Sequence, residues 1–310
     1  MTQAEHPVQS PDVTTSVKSS FHCGFSGGIG PPYSAAGRRS GTVGMVPEIL
    51  EVELYRALAE KALWRTIEKV WMVDSRFGRG GTTTRRLQSA LAGHVFTEAR
   101  RRGKLLLLDT DGGPTLGIRF GMTGGLVVDS VEALDRLLYG PGVFGEQWVR
   151  ARVTFADGGH LLIHDPRRFG SLELAPNEGR LGPDALTLTL PQLRAALAGT
   201  AGRGARSAPL KAQLLDQERV AGIGNLLADE ILWRAGLDPG RRTPLSDEEL
   251  RALHTSLRAT LRQLGGRGGS HMGELMEERR VGGRCAKDGA ELQVATVGGR
   301  TTWWCPVHQK

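Results

Sequence analysis

At 310 residues, 39% of them apolar, the chain is long enough for two domains with separate cores. Forty Lys and Arg against 33 Asp and Glu leave a net charge of +7, and the pI of about 9.7 points to a polyanionic partner, DNA, RNA or an anionic membrane surface. No run approaches the roughly 18 apolar residues of a membrane span, no early segment resembles a secretory signal, and three cysteines are too few for a disulfide framework. A soluble, intracellular protein is therefore expected.

Residues 1–46 contain seven Gly, seven Ser and four Pro and show no apolar periodicity. Such a segment cannot offset its ordering entropy, so a disordered extension or a start-site error is expected there. Without it the charge balance is still +6, so the basicity belongs to the remainder. From Glu48 a helical stripe begins with Leu50, Leu54, Leu58 and Ala62. Short strands follow to about residue 175. The clearest is a hairpin in which Val149, Ala151, Val153 and Phe155 alternate with polar neighbours and turn at Asp157-Gly158-Gly159 into His160–His164. The first half, 47–198, thus reads as a strand-rich domain opened by one helix. Gly-rich residues 199–208 read as a linker. Beyond them the periodicity is helical over 209–280. Ser246-Asp247-Glu248-Glu249 is a capping box ahead of Leu250, Leu253, Leu257, Leu261 and Leu264, with Gly265-Gly266 as the expected stop. A hairpin over 281–310 closes the chain.

Several residues in this frame carry chemistry. Pro47 suits the first turn of a helix, where its missing N–H costs nothing. As a terminal residue it is instead a free secondary amine. A reference α-amino group titrates near ~8, against ~10.4 for lysine, and so is far more often unprotonated at neutral pH. Met122 lies between glycines after a strand, and Phe169 follows Arg167 and Arg168 after Asp165-Pro166, so both suit loop tips. Gly222 and Gly224 before Asn225 allow close backbone approach of an anion at a helix start. Cys285-x₂-Asp288, sixteen residues, then Cys305-x₂-His308 offers four zinc-compatible donors. A three-ligand site, or a metal-free hairpin held by Trp303 and Trp304, is the alternative.

Pro47-Glu48-x-x-Glu51-Val52-Glu53 resembles the amino terminus of the formamidopyrimidine-DNA glycosylase/endonuclease VIII family. Matches follow in order at Arg101-Arg102-Gly103-Lys104, Gly121-Met122-Thr123-Gly124, Asp165 to Gly170, Leu215 to Glu230, and Val297-Gly298-Gly299-Arg300. Together they cover essentially all of residues 47–310. The resemblance implies an α+β fold: an eight-stranded antiparallel β-sandwich, a helix-two-turn-helix DNA-binding domain and a zinc-finger hairpin with one structural zinc. It implies a monomeric, bifunctional DNA glycosylase and AP lyase acting on oxidised bases in double-stranded DNA. Its surroundings would be cytoplasmic, or the nucleoid in a bacterium.

Residue by residue, the resemblance makes Pro47 the nucleophile at C1′ of the sugar and Glu48 the proton donor and acceptor. Lys104 and Arg300 match residues of the β- and δ-elimination steps. Met122, Arg167 and Phe169 match the triad that fills the gap left by an extruded base. Arg168, Lys211 and Asn225 match DNA contacts. The chain departs from the family pattern at Leu50, where proline is common, at Asp288 and His308, where cysteines are usual, and at Gln147-Trp148-Val149-Arg150, where histidines are frequent. The segment from Gly268 to Arg284 is shorter than in members specific for 8-oxoguanine, so Fapy lesions, oxidised pyrimidines or abasic sites fit. The Met122 and Arg167/Phe169 arrangement favours the formamidopyrimidine branch.

If Pro47 is internal, the alternative is a non-catalytic damage-binding protein. A valine start codon at position 46, translated as methionine and then removed, would expose Pro47, so the functional protein is expected to begin there.

Overall fold

Alternation of apolar and polar residues builds most of the first half into antiparallel strands. The computed structural model describes residues 47–132, 145–198 and 208–310. The expected extension 1–46 and residues 199–207 of the expected linker lie outside the described residues. One sheet has the order β1 (Ile67–Met72), β7 (Val149–Phe155), β8 (His160–His164), β5 (Gly125–Val128), β6 (Val131–Glu132). The other runs β2 (Phe96–Arg102), β3 (Leu105–Thr110), β4 (Leu116–Arg119), β9 (Ser171–Leu174). All the strand pairings in both sheets are antiparallel. Where eight strands are expected, the two sheets hold nine among the described residues, and the extra one is the two-residue β6. The β7–β8 hairpin pairs Val153 with Leu161 and Thr154 with His160, so the alternating apolar face points inward as its sequence requires.

Both sheets share one core. Ile67, Val70, Phe96, Leu106, Leu108, Ile118, Val153, Phe155 and Leu161 are buried in it, with α2 (Thr84–Leu91) contributing Leu87 and Leu91. In the opening helix, α1 (Ile49–Ala59), Leu54 of the expected stripe is only half-buried and Ala62 lies beyond the helix end, whereas Val52, Tyr55, Leu58 and Ala59 enter this core. Its first turn goes elsewhere. Ile49 and Leu50 pack into a second, helical core with α4 (Leu210–Leu215), α5 (Asn225–Ala235) and α6 (Asp247–Arg267). Leu188 and Leu193, the latter on α3 (Leu190–Ala198), also belong to this second core although they precede residue 199. The segment carrying Pro47 and Glu48 is therefore gripped by both cores.

Ser246 and Glu249 form the expected capping box on α6. The helix does not stop at Gly265-Gly266 but continues to Arg267 and ends at Gly268, whose φ of +105° is the left-handed conformation glycine permits. Gly265 and Gly266 remain helical, and a Cβ on Gly265 would meet the Leu50 side chain at 3.5 Å, an ordinary contact. The chain closes with the antiparallel pair β10 (Gln293–Val297) and β11 (Arg300–Trp304). Among the described residues no helix is long and apolar enough to cross a membrane.

Candidate active site and metal centre

Glu48 is the residue on which the two cores meet. It is the N-cap of α1, and its own N–H donates to Glu51 Oε2 at 2.9 Å. Its carboxylate crosses to the start of α5, accepting the N–H groups of Gly224 (2.8 Å), Leu226 (2.8 Å) and Leu227 (3.2 Å). Unpaired helix N–H groups are natural partners for an anion. Burial nevertheless dominates: at 0% exposure the Glu48 carboxyl is pushed up to about 7, against the opposing attraction of Lys104. A carboxyl poised near neutrality can both give and take a proton. Glycine is required around it, since a Cβ on Gly224 would stand 2.3 Å from the Glu48 carboxyl carbon. On Gly222, at φ +112°, a Cβ would strike Ile49 at 2.4 Å. Glu51 accepts Ser270 N–H (2.6 Å) and Oγ–H (2.7 Å), fastening the same helix start to residues 270–272.

Lys104 follows Gly103 in the β2–β3 turn. The turn packs onto the Ala221-Gly222 loop, leaving only 2.8 Å between a Cβ at Gly103 and the Ala221 side chain. Asp184 holds it there by accepting Gly103 N–H at 2.7 Å and the Arg101 guanidinium at 2.6 and 3.1 Å. Glu48, Glu51 and Arg300 are the charged neighbours of Lys104, and burial lowers its pKa below the ordinary lysine value. Arg300 itself is exposed at the start of β11.

The hairpin reaches this position by docking on α4 and α5. Asn225 Nδ2 donates to Thr301 O at 3.0 Å. Lys211, expected as a DNA contact, is fully buried at 0% exposure, paired with Asp229 at 2.6 Å and bonded to Thr302 Oγ1 at 2.8 Å and Thr301 O at 3.1 Å. Its charge is directed at Asp229 and strand β11, out of reach of a phosphate, because α4 and the hairpin close over it. Asp229 also takes the Arg279 guanidinium and Trp303 N–H.

The Met122 turn and the Phe169 loop are brought together. A Cβ on Gly121 would lie 2.4 Å from the Phe169 carbonyl carbon, so the two loops touch backbone to backbone. Buried Asp165 joins them, accepting Thr123 Oγ–H (2.6 Å), Arg167 N–H (3.2 Å) and Gly170 N–H (2.7 Å). Phe169 stands 56% exposed with the Arg167 guanidinium 5.3 Å above its ring, and Met122 is half-buried. Exposure of so large an apolar ring suits insertion into a base stack. Arg168 is ion-paired with Asp74, which it holds below the usual carboxylate range. Asp165 and Asp229 entered the reading of the sequence only as motif positions, with no role, and Asp184 did not enter it at all. Asp165 and Asp184 each adjoin a proline in a turn, a weak signal, and Asp229 belongs to the Ala228-Asp229-Glu230 motif, but nothing local shows which cations it pairs with.

The donor atoms of Cys285, Asp288, Cys305 and His308 lie within 4.8 Å of one another and could hold a metal ion. His308 Nδ1 is 3.0 Å from Asp288 Oδ2 and 3.5 Å from Cys285 Sγ, and Cys305 Sγ is 3.1 Å from Asp288 Oδ2. Bonds of ~2.0–2.3 Å to a tetrahedral zinc imply edges of about 3.3–3.8 Å, close to these separations. Outer contacts fix the donors: His308 Nε2 faces Trp233 O at 3.0 Å and Trp233 Nε1 donates to Cys285 Sγ at 3.3 Å.

Two family models match the chain, the formamidopyrimidine-DNA glycosylase N-terminal domain over residues 46–172 and the formamidopyrimidine-DNA glycosylase H2TH domain over residues 181–272. A formamidopyrimidine-DNA glycosylase of Heliobacterium modesticaldum is 36% identical over 294 residues, covering 86% of this chain and 100% of the relative. One from Arabidopsis thaliana is 31% identical over 285 residues, covering 86% and 71%. Among solved structures, Lactococcus lactis Fpg with a DNA containing an abasic site is similar at 26% identity and a TM-score of 0.70, over 85% of this chain and 100% of that one. The same values hold for the L. lactis protein with a Fapy-dG containing DNA. With family models over both halves and a relative 36% identical across 86% of the chain, the chain belongs to the formamidopyrimidine-DNA glycosylase family.

Proposed function

We propose that the protein is a bifunctional DNA glycosylase and AP lyase that removes oxidised bases from double-stranded DNA in base-excision repair. The observation that carries this reading is the buried Glu48 carboxyl, raised to about 7 and set at the α5 N-terminus next to Pro47 and Lys104. Pro47, once freed from its preceding peptide bond, adds its neutral nitrogen to C1′ of the sugar. Glu48 protonates the ring oxygen as the base departs, leaving an iminium. The iminium acidifies the C2′ proton, and β- then δ-elimination cuts the strand on both sides. Arg300 and Lys104 supply positive charge to the phosphates that leave. Met122, Arg167 and Phe169 fill the space of the extruded base, and Asn225 and Arg168 face the backbone, Arg168 after exchanging Asp74 for phosphate.

One zinc held by Cys285, Asp288, Cys305 and His308 would be structural, cross-linking the two ends of the hairpin that presents Arg300. Domain limits at 209–280 and 281–310, with Leu188 and Leu193 counted with the helical unit rather than with 47–198, a monomeric state and a location with the cell's DNA complete the proposal.

The test is borohydride trapping on lesion-containing and abasic duplexes with a chain processed to Pro47, its terminus verified by mass. A reduced adduct mapped to Pro47, with release of Fapy or oxidised-pyrimidine bases, is expected. Tight binding to abasic DNA without any adduct would favour a non-catalytic damage-binding protein instead.

A further inference from the structure

In the 310-residue chain the Pro47 nitrogen is acylated by Val46, and an amide lone pair delocalised into its carbonyl is no nucleophile. The same site contains another amine. Among the described residues, Lys61 and Lys69 are exposed, and Lys211 is paired with Asp229. Lys287 donates to the carbonyls of Trp233 and Arg234 at 3.0 Å each, and Lys310 to that of Pro306 at 3.0 Å. Lys104 differs from all of these. It is partly buried, makes no hydrogen bond or close ion pair among the described residues, and lies where the β2–β3 turn, the Gly222–Gly224 loop and Glu48 converge. Burial outweighs the pull of Glu48 and Glu51 and lowers its pKa, raising the neutral fraction that attacks a carbonyl.

We propose that Lys104 is a second amine nucleophile, giving the uncleaved chain lyase activity on abasic sites without base excision. The inference rests on the site assigned above but not on a free Pro47. An abasic sugar already presents an aldehyde at C1′, so no base has to be expelled. The neutral Lys104 Nζ bonds to C1′, and the carbonyl oxygen takes one proton from the amine and one from the Glu48 carboxyl and leaves as water. The resulting iminium draws electrons from C2′. The Glu48 carboxylate removes a C2′ proton, the C2′–C3′ double bond forms, and the C3′–O bond breaks with its electron pair leaving on the phosphate. Water then hydrolyses the iminium, restoring the lysine and releasing the unsaturated aldehyde, with no oxidant or reductant consumed.

The experiment uses the full chain, its amino terminus confirmed by intact mass, trapped with borohydride on abasic duplex at saturating DNA, beside the chain processed to Pro47. The full chain is expected to form an adduct that maps to Lys104 and to nick abasic DNA while leaving a lesion base in place. Lys104→Arg keeps the cation and removes the nucleophile, so in the full chain it should reduce adduct and nicking by roughly tenfold or more. An adduct on Met1 or another lysine, or one that Lys104→Arg leaves intact, overturns the inference. So does absence of adduct from the full chain alongside a Pro47 adduct from the processed chain, a result that leaves the proposed function standing. A processed chain that forms no Pro47 adduct while the full chain labels Lys104 supports the inference and defeats the reading of Pro47.

Discussion

Replacing Glu48 by glutamine removes one titrating group from the interior, and the size of the effect follows from the site. The carboxyl is fully buried and titrates at about 7 in the folded protein against 4.5 in its reference state. Below about pH 4.5 both states hold the proton and above about pH 7 both have lost it. Between these limits only the folded state keeps it, so stability falls as pH rises. The gap of about 2.5 units corresponds to about 3 kcal/mol at 1.36 kcal/mol per unit, most of it lost between pH 5 and pH 8. Glu48→Gln lacks this term but has only one oxygen for the three N–H groups of Gly224, Leu226 and Leu227, a cost of about 1–3 kcal/mol at every pH. Urea unfolding of both proteins at pH 5 and pH 8 separates the two contributions, because other titrating groups cancel in the double difference. The wild type should lose on the order of 2–3 kcal/mol relative to Glu48→Gln over that interval. Parallel pH dependences would refute a buried carboxyl with a raised pKa, and with it the proton-transfer role.

Phe169→Ala should depress base excision far more than cleavage at an existing abasic site, with stability changed by no more than about 0.5 kcal/mol because the ring is mostly exposed; equal losses on the two substrates would argue against a wedge. Asp229→Ala leaves Lys211 and Arg279 as buried cations without their anion, and a loss of about 3–5 kcal/mol is expected in denaturant unfolding, whereas a loss below about 1 kcal/mol would mean the pairing is not an internal anchor. Elemental analysis should find one zinc per chain, and Cys305→Ser should release it and weaken DNA binding; undiminished metal and affinity would remove the site from the hairpin's function.

The period-2 pattern of β7 and β8, the α6 capping box and the sixteen-residue gap between Asp288 and Cys305 were all legible in the sequence, because each depends on neighbours a few residues apart or on fixed ligand spacing. So was the candidacy of Glu48, Lys104 and Arg300, through motif order. The stop of α6 was misplaced because two helical glycines resemble a terminus. Only the φ of +105° at Gly268 distinguishes the true end.

Tertiary structure alone decided the rest. Lys211 reads as a surface cation, yet the closure of the hairpin over α4 buries it against an aspartate eighteen residues away, so its role passes from phosphate to architecture. Asp165 and Asp184 became visible as anchors only when loops distant in sequence met around them. Most of all, composition cannot reveal that Glu48 titrates near neutrality. Local sequence specifies the carboxyl, but its pKa is set by burial between two cores, a helix N-terminus 176 residues downstream and a nearby lysine. Backbone preference and spacing act locally, whereas desolvation and charge pairing depend on everything the folded chain brings within a few ångströms.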